Sequence, residues 1–476
     1  MKRFFSFLLF SGVFMVLCAG ELAAKSKAKY VFYFIGDGMG LNQVLGGAVY
    51  AQQLEGKREG YKDFSFTRFP VRTYVTSYSL SGYVTDSAAG GTALASGEKT
   101  NNGMIGVTPR NGETPAYSIA HYAKQAGYKV GVASNVGVNH ATPASFFAHH
   151  RDRNEYYAIG LQLPDSQFDF FAGSNFLTDS KSRELTPLKT IARQAGYAVA
   201  FGVDRYEALK GKASKIILFQ ADSMKSDVPY RIDRKTGDLT LSQITEKAID
   251  FLARDNKKGF FLMVEGGKID GGGHANDALA SYSEVIDLSD AIEVALDFYG
   301  KYPDETLIVL TADHETGGLT LGVNNQYALN YPALLQRKGS KDAISLRFGD
   351  LRLAKENKIS WQDVRGFLQE NFGFWKDLPI SLPQEIRLMQ AFQESFGGRP
   401  APQRVIVPNT GERIVSVAVE ILDEIALVGW TSEGHSGAYV PLYVLGAGSE
   451  LFAQEAFDNT DIPRIISKVA GYQDKK

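Results

Sequence analysis

Cysteine is almost missing from this chain of 476 residues, with Cys18 the only one. A single thiol excludes an internal disulfide and any site built from several thiolates, so a metal centre has to draw on His, Asp and Glu. An excess of charge of one sign is lacking as well. Fifty-one basic residues against 53 acidic ones leave a formal charge of −2, which excludes the strongly basic surface of a nucleic-acid binder. Long apolar runs are limited to one, at the start, in "MKRFFSFLLFSGVFMVLCAGELAA". It falls short of the roughly 20 residues that span a bilayer, so no retained membrane span is expected. Lys2 and Arg3 ahead of the run and small residues behind it predict a secretory signal over residues 1–24, cleaved after Gly20 or Ala24, and a periplasmic or secreted product. Lipoprotein anchoring through Cys18 is disfavoured by Leu17, which is bulky where that processing takes a small residue.

What is present reads as a globular α/β chain, 44% hydrophobic and 22% charged. The runs "KYVFYFIGDG", "YKVGVAS", "FFLMVEGGKID" and "TLIVLTADH" are nearly continuous in apolar residues and end in polar clusters. Such runs suit strands covered on both faces. Helical patterns such as "AYSIAHYAKQAG" and "YSEVIDLSDAIEVALDFYGK" lie between them, which predicts a doubly wound, mostly parallel sheet flanked by helices. Ligands in such folds bind beyond the carboxyl ends of the strands. After Thr320 the alternation stops, and "SWQDVRGFLQENFGFW" and "LPQEIRLMQAFQESFGG" are amphipathic helices with no strand between them. The expected division is a catalytic domain over 25–320 and 409–476, interrupted by a mainly helical insertion over 321–408. "VPLYVLGAG" and "IPRIISKVAGY" return to the main sheet as strand and helix.

The polar clusters carry the chemistry. In "VEGGKIDGGGHAND", Glu265, Asp270 and His274 follow a strand, and the glycines between them predict one loop on which the three side chains converge. "TLIVLTADHETGG" places Asp313 and His314, a hard oxygen beside an imidazole, at another strand end, and Asp37 in "YFIGDGMG" does the same after the first strand. Carboxylates from three strand ends facing one edge repel one another unless cations lie between them, which points to metals. Of seven histidines, His274, His314 and His435 sit in such clusters, the last in "EGHSGAYVP". His121 reads as a helix-surface residue, and His149 and His150 as packing or hydrogen-bonding residues. "NHATPASFFAHHRDRNEYY" offers His140, Thr142, Arg151 and Arg153, and an arginine fork can grip two oxygens of a phosphoryl group. "TDSAAGGTALASG" reads as a helix start with Asp86 or Ser87 near the N-cap, where backbone N–H groups favour an anion. The following "GTALASGEKT" looks like the phosphate loop GxxxxGKS/T, but Glu98 separates Gly97 from Lys99 and would aim negative charge at a phosphate. A nucleotide-binding loop is therefore excluded.

Taken together, "GDGMG", "VTDSAAGGTALASG", "HATPA" followed by "RN", "EGGKIDGGGH", "TADHETGG" and "EGHSG" resemble the alkaline phosphatase family in content and order. The resemblance implies a secreted or periplasmic phosphomonoesterase that forms a phosphoserine on Ser87, with Arg153 rather than Arg151 binding the phosphoryl group. It implies two Zn2+ ions, one held by Asp270, His274 and His435 and the other by Asp37, Asp313 and His314. It further implies a third ion, usually Mg2+, on Asp37, Thr142 and Glu265. Small phosphate monoesters are the implied substrates. The dimer contact common in the family leaves homodimerisation open, because the 321–408 insertion can make, replace or block it.

Two positions depart from the family's best-known bacterial pattern. His140, where Asp or His is found, places an imidazole near the third site as a second-shell group and leaves that ion's identity open. Gly271, where Lys or His is common, removes a side chain that could meet phosphate through water, so weaker phosphate retention is expected. Other readings are a phosphodiesterase or nucleotide pyrophosphatase of the same superfamily, or a non-catalytic metal-stabilised extracellular binding protein. The first commonly lacks the Thr and Glu of the third site, which Thr142 and Glu265 supply; the second leaves the nucleophile, ligand set and arginine without a use.

Overall fold

Nine strands form one sheet: β1 (Tyr30–Gly36), β2 (Val71–Val75), β3 (Lys129–Ser134), β4 (Phe170–Gly173), β5 (Ala198–Phe201), β6 (Ile216–Phe219), β7 (Phe260–Gly266), β8 (Thr306–Thr311) and β9 (Val440–Gly446). The computed structural model describes residues 27–57, 59–109, 114–179, 182, 184–221, 228–396 and 412–472. The expected signal segment 1–24, with Cys18, lies outside the described residues. Across the sheet the order is β2-β9-β8-β1-β7-β3-β4-β6-β5. Every pairing is parallel except those of β9, which runs opposite to both β8 and β2. The reversal has a local cause. His435 approaches at the carboxyl edge just ahead of β9, and a strand entering from that edge has to run the other way.

All residues of β1, β7 and β8 are buried, as their continuous apolar sequences require of strands covered on both faces. The helices used below are α1 (Leu41–Leu54), α2 (Ser87–Ser96), α3 (Ala141–Ala144), α4 (Lys268–His274), α5 (Ala278–Tyr299), α6 (Lys341–Ala354), α7 (Trp361–Phe372), α8 (Leu382–Phe396), α9 (Arg413–Ala426) and α10 (Asp461–Ala470). Phe298 of α5 packs edge-on to Phe32 and Phe260, with ring centroids 5.5 Å apart in both cases. Each such buried ring contributes roughly 1.5–3 kcal/mol of burial.

Neighbouring strands are level where it matters. Glu265 pairs with Ile35 on one side and Ser134 on the other, and Ile35 pairs in turn with Thr311. The carboxyl ends of β3, β7, β1 and β8 therefore open onto one shelf. Among the described residues between 322 and 412, α6, α7 and α8 follow one another without a strand, and α6 and α8 pack against α9. Ser360 and Asp363 close a reciprocal cap at the start of α7, and Gly373 ends it at φ 71°. No helix among the described residues is long and apolar enough to cross a membrane.

Candidate active site

The shelf receives its side chains from several elements. Asp37 directly follows β1, Glu265 is the next-to-last residue of β7, and Asp313 and His314 lie just beyond β8. Thr142 sits in α3, Ser87 opens α2, and His435 enters on a two-residue strand paired with residues 315–316. Asp37, Ser87, Thr142, Glu265, Asp313 and His314 are all buried. Asp270 and His274 do not come from a loop, as their glycine-rich surroundings predicted. They lie on α4, at i and i+4, which puts both on one face of a helical turn. Glu265, on the strand, is separated from that pair and joins a different group.

Glycine here serves close approach rather than loop freedom. A Cβ on Gly272 would stand 2.6 Å from Ser281 N of α5, and one on Gly273 2.8 Å from the Thr316 side chain. In α2, a Cβ on Gly90 would meet the Asp313 carbonyl oxygen at 2.9 Å. The N-terminus of α2 is thus pressed against the end of β8. Asp86, not Ser87, is the N-cap, accepting from Ala89 N at 2.9 Å. Its second oxygen accepts from Gly103 N at 2.9 Å and from Arg153 Nη1 at 3.0 Å, which aims the guanidinium at the same helix start.

Three imidazoles converge with their outer nitrogens tied back. His435 Nδ1 lies 2.8 Å from the Thr85 carbonyl oxygen and His274 Nδ1 2.5 Å from that of Glu433. Thr316 Oγ1 donates to Asp270 Oδ1 at 2.5 Å, so it can only accept from His314 Nδ1, 3.2 Å away. Each Nδ1 therefore carries its proton, and each Nε2 turns a lone pair inward. The Nε2 atoms of His274 and His435 face each other at 3.1 Å, an arrangement that needs a cation or an added proton between them. His314 Nε2 lies 3.2 Å from Ser87 Oγ, 3.4 Å from Asp37 Oδ1 and 3.5 Å from Asp313 Oδ2. The His314 and His435 rings stack at 3.6 Å.

Three sets of donors lie within 4.8 Å of one another: Asp270, His274 and His435; Asp37, Asp313 and His314; and Asp37, His140 and Glu265. Thr142 Oγ1 sits beside the last two, donating to Asp313 Oδ2 at 3.3 Å. Both carboxylate oxygens of Asp37 and Oε1 of Glu265 are buried without a hydrogen-bond partner among the described residues. Buried acceptors left in this way fit divalent cations.

The electrostatics agree. Burial, and then the charges of Asp313, Asp270 and Glu265, push Asp37 well above the ordinary carboxylate range. Burial likewise lifts Glu265 to about 8 and Asp313 to about 7. It pulls Asp270 upward too, but His274, His314 and His435 together hold that carboxyl below its usual range. His274 is raised to about 9, first by its hydrogen bond with Asp270. Burial drives His314 far below the usual imidazole value. His140 falls to about 4, through burial and then Arg153. Arg153 Nη2 lies 3.3 Å from His140 Nε2, while His140 Nδ1 is buried without a hydrogen-bond partner among the described residues, as are both oxygens of Asp37 and Oε1 of Glu265. His140 thus stands within the third donor set and against Arg153.

The remaining histidines are elsewhere. His121 is half-buried, stacked on Tyr117 at 4.6 Å, while His149 Nδ1 and His150 Nδ1 meet the carbonyl oxygens of Gly106 and Asp152. Gly271 does not border open space: a Cβ there would stand 2.6 Å from Tyr230 Oη. Four supporting residues were missed in sequence. Thr316 links two donor sets, Ser134 donates to Glu265 Oε2, and Tyr230 fills the place beside Gly271. Glu315 accepts from Gln43 Nε2, Gly318 N, Leu319 N and Ser436 Oγ, binding the turn after His314 to the segment that carries His435. Thr316 and Glu315 stand inside the quoted "TADHETGG", so a signal for them was present; Tyr230, 40 residues ahead of Asp270 in the chain, had none.

Comparison with known proteins gives a consistent picture. The family model described as alkaline phosphatase matches residues 28–170 and 188–472. Alkaline phosphatase 4 of Bacillus subtilis is 30% identical over 455 residues, covering 94% of this chain and 89% of the relative. The crystal structure of a cold-active alkaline phosphatase from a psychrophilic Shewanella is 29% identical with a TM-score of 0.75, covering 93% of this chain and 99% of that one. The alkaline phosphatase of the Antarctic bacterium TAB5 is 26% identical with a TM-score of 0.65, covering 94% and 100%. Two of its histidine variants, to Glu and to Asp, have magnesium bound in a site called M3.

Proposed function

Because the chain belongs to the alkaline phosphatase family, whose members hydrolyse phosphate monoesters, we propose that it does so through a phosphoserine formed on Ser87. In this reading Asp270, His274 and His435 hold one Zn2+, Asp37, Asp313 and His314 hold a second, and Asp37, Thr142 and Glu265 hold Mg2+. The observation that carries it is the convergence of three imidazoles, each with Nδ1 tied outward, on a shelf where Ser87 Oγ lies 3.2 Å from His314 Nε2. Nitrogen and oxygen donors in the first two sets suit zinc. The oxygen donors of Asp37, Thr142 and Glu265 suit magnesium, with His140 beside them.

When bound, the cations supply Lewis-acid stabilisation of charge on the attacking and departing oxygens. The chain supplies position. Arg153, steadied by Asp86, offers two parallel N–H groups to the non-bridging phosphoryl oxygens. The first N–H groups of α2 face the same anion. Ser87 Oγ bonds to phosphorus as the bond to the alcohol oxygen breaks, and water then breaks the Oγ–P bond to release inorganic phosphate. Burial of Ser87 fixes its approach along one line.

The signal expected over residues 1–24 supports a periplasmic or secreted enzyme. The helices α6 to α8 support an insertion over 321–408. The test of the mechanism is acid quenching during turnover of an aryl phosphate, followed by peptide mass spectrometry. A phosphoryl adduct on Ser87 is expected. An adduct on another residue, or none under conditions that trap a control phosphoserine, contradicts the reading.

A further inference from the structure

Tyr230 is 7% exposed, and its hydroxyl makes no hydrogen bond among the described residues. The oxygen is not itself a buried atom left without a partner, so the hydroxyl end of the side chain reaches solvent and is open to a ligand. The oxygen stands 2.6 Å from where a Cβ on Gly271 would lie, directly beside Asp270 on α4. Lys268 Nζ sits over the ring, 4.2 Å from its centroid. Burial, and then Asp342, Asp277, Glu284 and Asp270, push the phenol well above its ordinary value, so it is a neutral group able both to donate and to accept.

Its place relative to the reaction follows from Ser87. The nucleophile lies against His314, in the set formed with Asp37 and Asp313. In-line displacement puts the departing oxygen opposite the nucleophile, on the side of Asp270, His274 and His435. Tyr230 borders that side through Gly271 and Asp270. The Lys268 ammonium over the ring and Arg337 on Asp277 offset the nearby carboxyl groups, and the hydroxyl of a neutral alcohol portion is a partner that a neutral phenol can both donate to and accept from.

We propose that the Tyr230 hydroxyl contacts the alcohol portion of the substrate and favours esters whose alcohol bears further hydroxyl groups, such as polyol and sugar phosphates, over plain aryl phosphates. This rests on the phosphomonoesterase reading above. Gly271 then serves to leave room for the phenol, and Gly271→Lys would displace it, so that variant cannot isolate phosphate retention.

The test is Tyr230→Phe, which keeps the ring and its contact with Lys268 and removes one oxygen. Steady-state kinetics with glycerol phosphate and phenyl phosphate, plus inhibition by inorganic phosphate, give three readouts. Expected is a loss of about three- to tenfold in kcat/KM for glycerol phosphate, with phenyl phosphate turnover and phosphate inhibition unchanged. An equal loss on both substrates with weaker phosphate inhibition would assign the hydroxyl to the phosphoryl group and overturn the proposal; no loss on either would overturn it as well. If the unaltered protein hydrolyses neither ester, the functional reading itself falls and takes this inference with it.

Discussion

Thr316 donates its hydroxyl to Asp270 at 2.5 Å while standing 3.2 Å from the ring of His314, so one side chain steadies a member of each of two donor sets. Thr316→Val keeps the volume and removes both contacts. Residues that orient metal ligands in this way are worth about 10- to 100-fold in affinity. Chelator competition on the variant should show zinc retention weakened by that amount, with the melting temperature of the metal-free protein little changed. Unaltered retention would remove Thr316 from the site.

Asp86 joins the helix cap to Arg153. Asp86→Asn keeps one oxygen for Ala89 N but gives up the charge that holds the guanidinium. Loss of a charge-assisted contact predicts a drop of about tenfold or more in kcat/KM. The inhibition constant for inorganic phosphate should rise in parallel, because the arginine grips both. A fall in turnover without weaker phosphate binding would place Arg153 outside the phosphoryl site.

The buried carboxyl groups set a pH dependence. Glu265 and Asp313 rise to about 8 and about 7 in the folded chain, from ordinary values of 4.5 and 3.8. Between those limits the folded state binds more protons than the unfolded state, so metal-free stability falls as pH rises through the window. Cations bind the same oxygens in their deprotonated form and offset that loss. The gap in melting temperature between metal-loaded and chelated protein should therefore widen from about pH 5 to about pH 8. A constant or narrowing gap contradicts the assignment of these acids to cations.

Two glycines in helices give opposite expectations. A Cβ on Gly272 would overlap Ser281 N at 2.6 Å, whereas one on Gly366 of α7 meets nothing within 4 Å. Gly272→Ala should cost about 1–3 kcal/mol through overpacking. Gly366→Ala should add about 0.5–1 kcal/mol by restricting the unfolded chain. Denaturant unfolding of both variants measures the difference.

Much of this was legible in sequence for a physical reason. Strands buried on both faces have to be continuously apolar, so β1, β7 and β8 announced themselves, and the polar residues that end them had only one edge to occupy. What escaped was of two kinds. The "KIDGGGH" glycines suggested a loop, whereas they allow a helical turn to pack against Ser281 and Thr316, a tertiary demand that no local pattern reports. Tyr230 reaches the site from a distant segment, and only the fold shows that its phenol occupies the space left by Gly271. The direction of β9 was invisible for a similar reason, since an apolar strand reads alike in either direction.

The most direct test of the central claim is steady-state hydrolysis of an aryl phosphate against an aryl phosphodiester at alkaline pH, with and without a chelator, beside Ser87→Ala. The account predicts preferential turnover of the monoester, its collapse on chelation, its return with divalent zinc and magnesium, and a loss of about a thousandfold or more in Ser87→Ala. A preference for the diester, or monoester activity that survives either the chelator or the loss of the Ser87 hydroxyl, would contradict it.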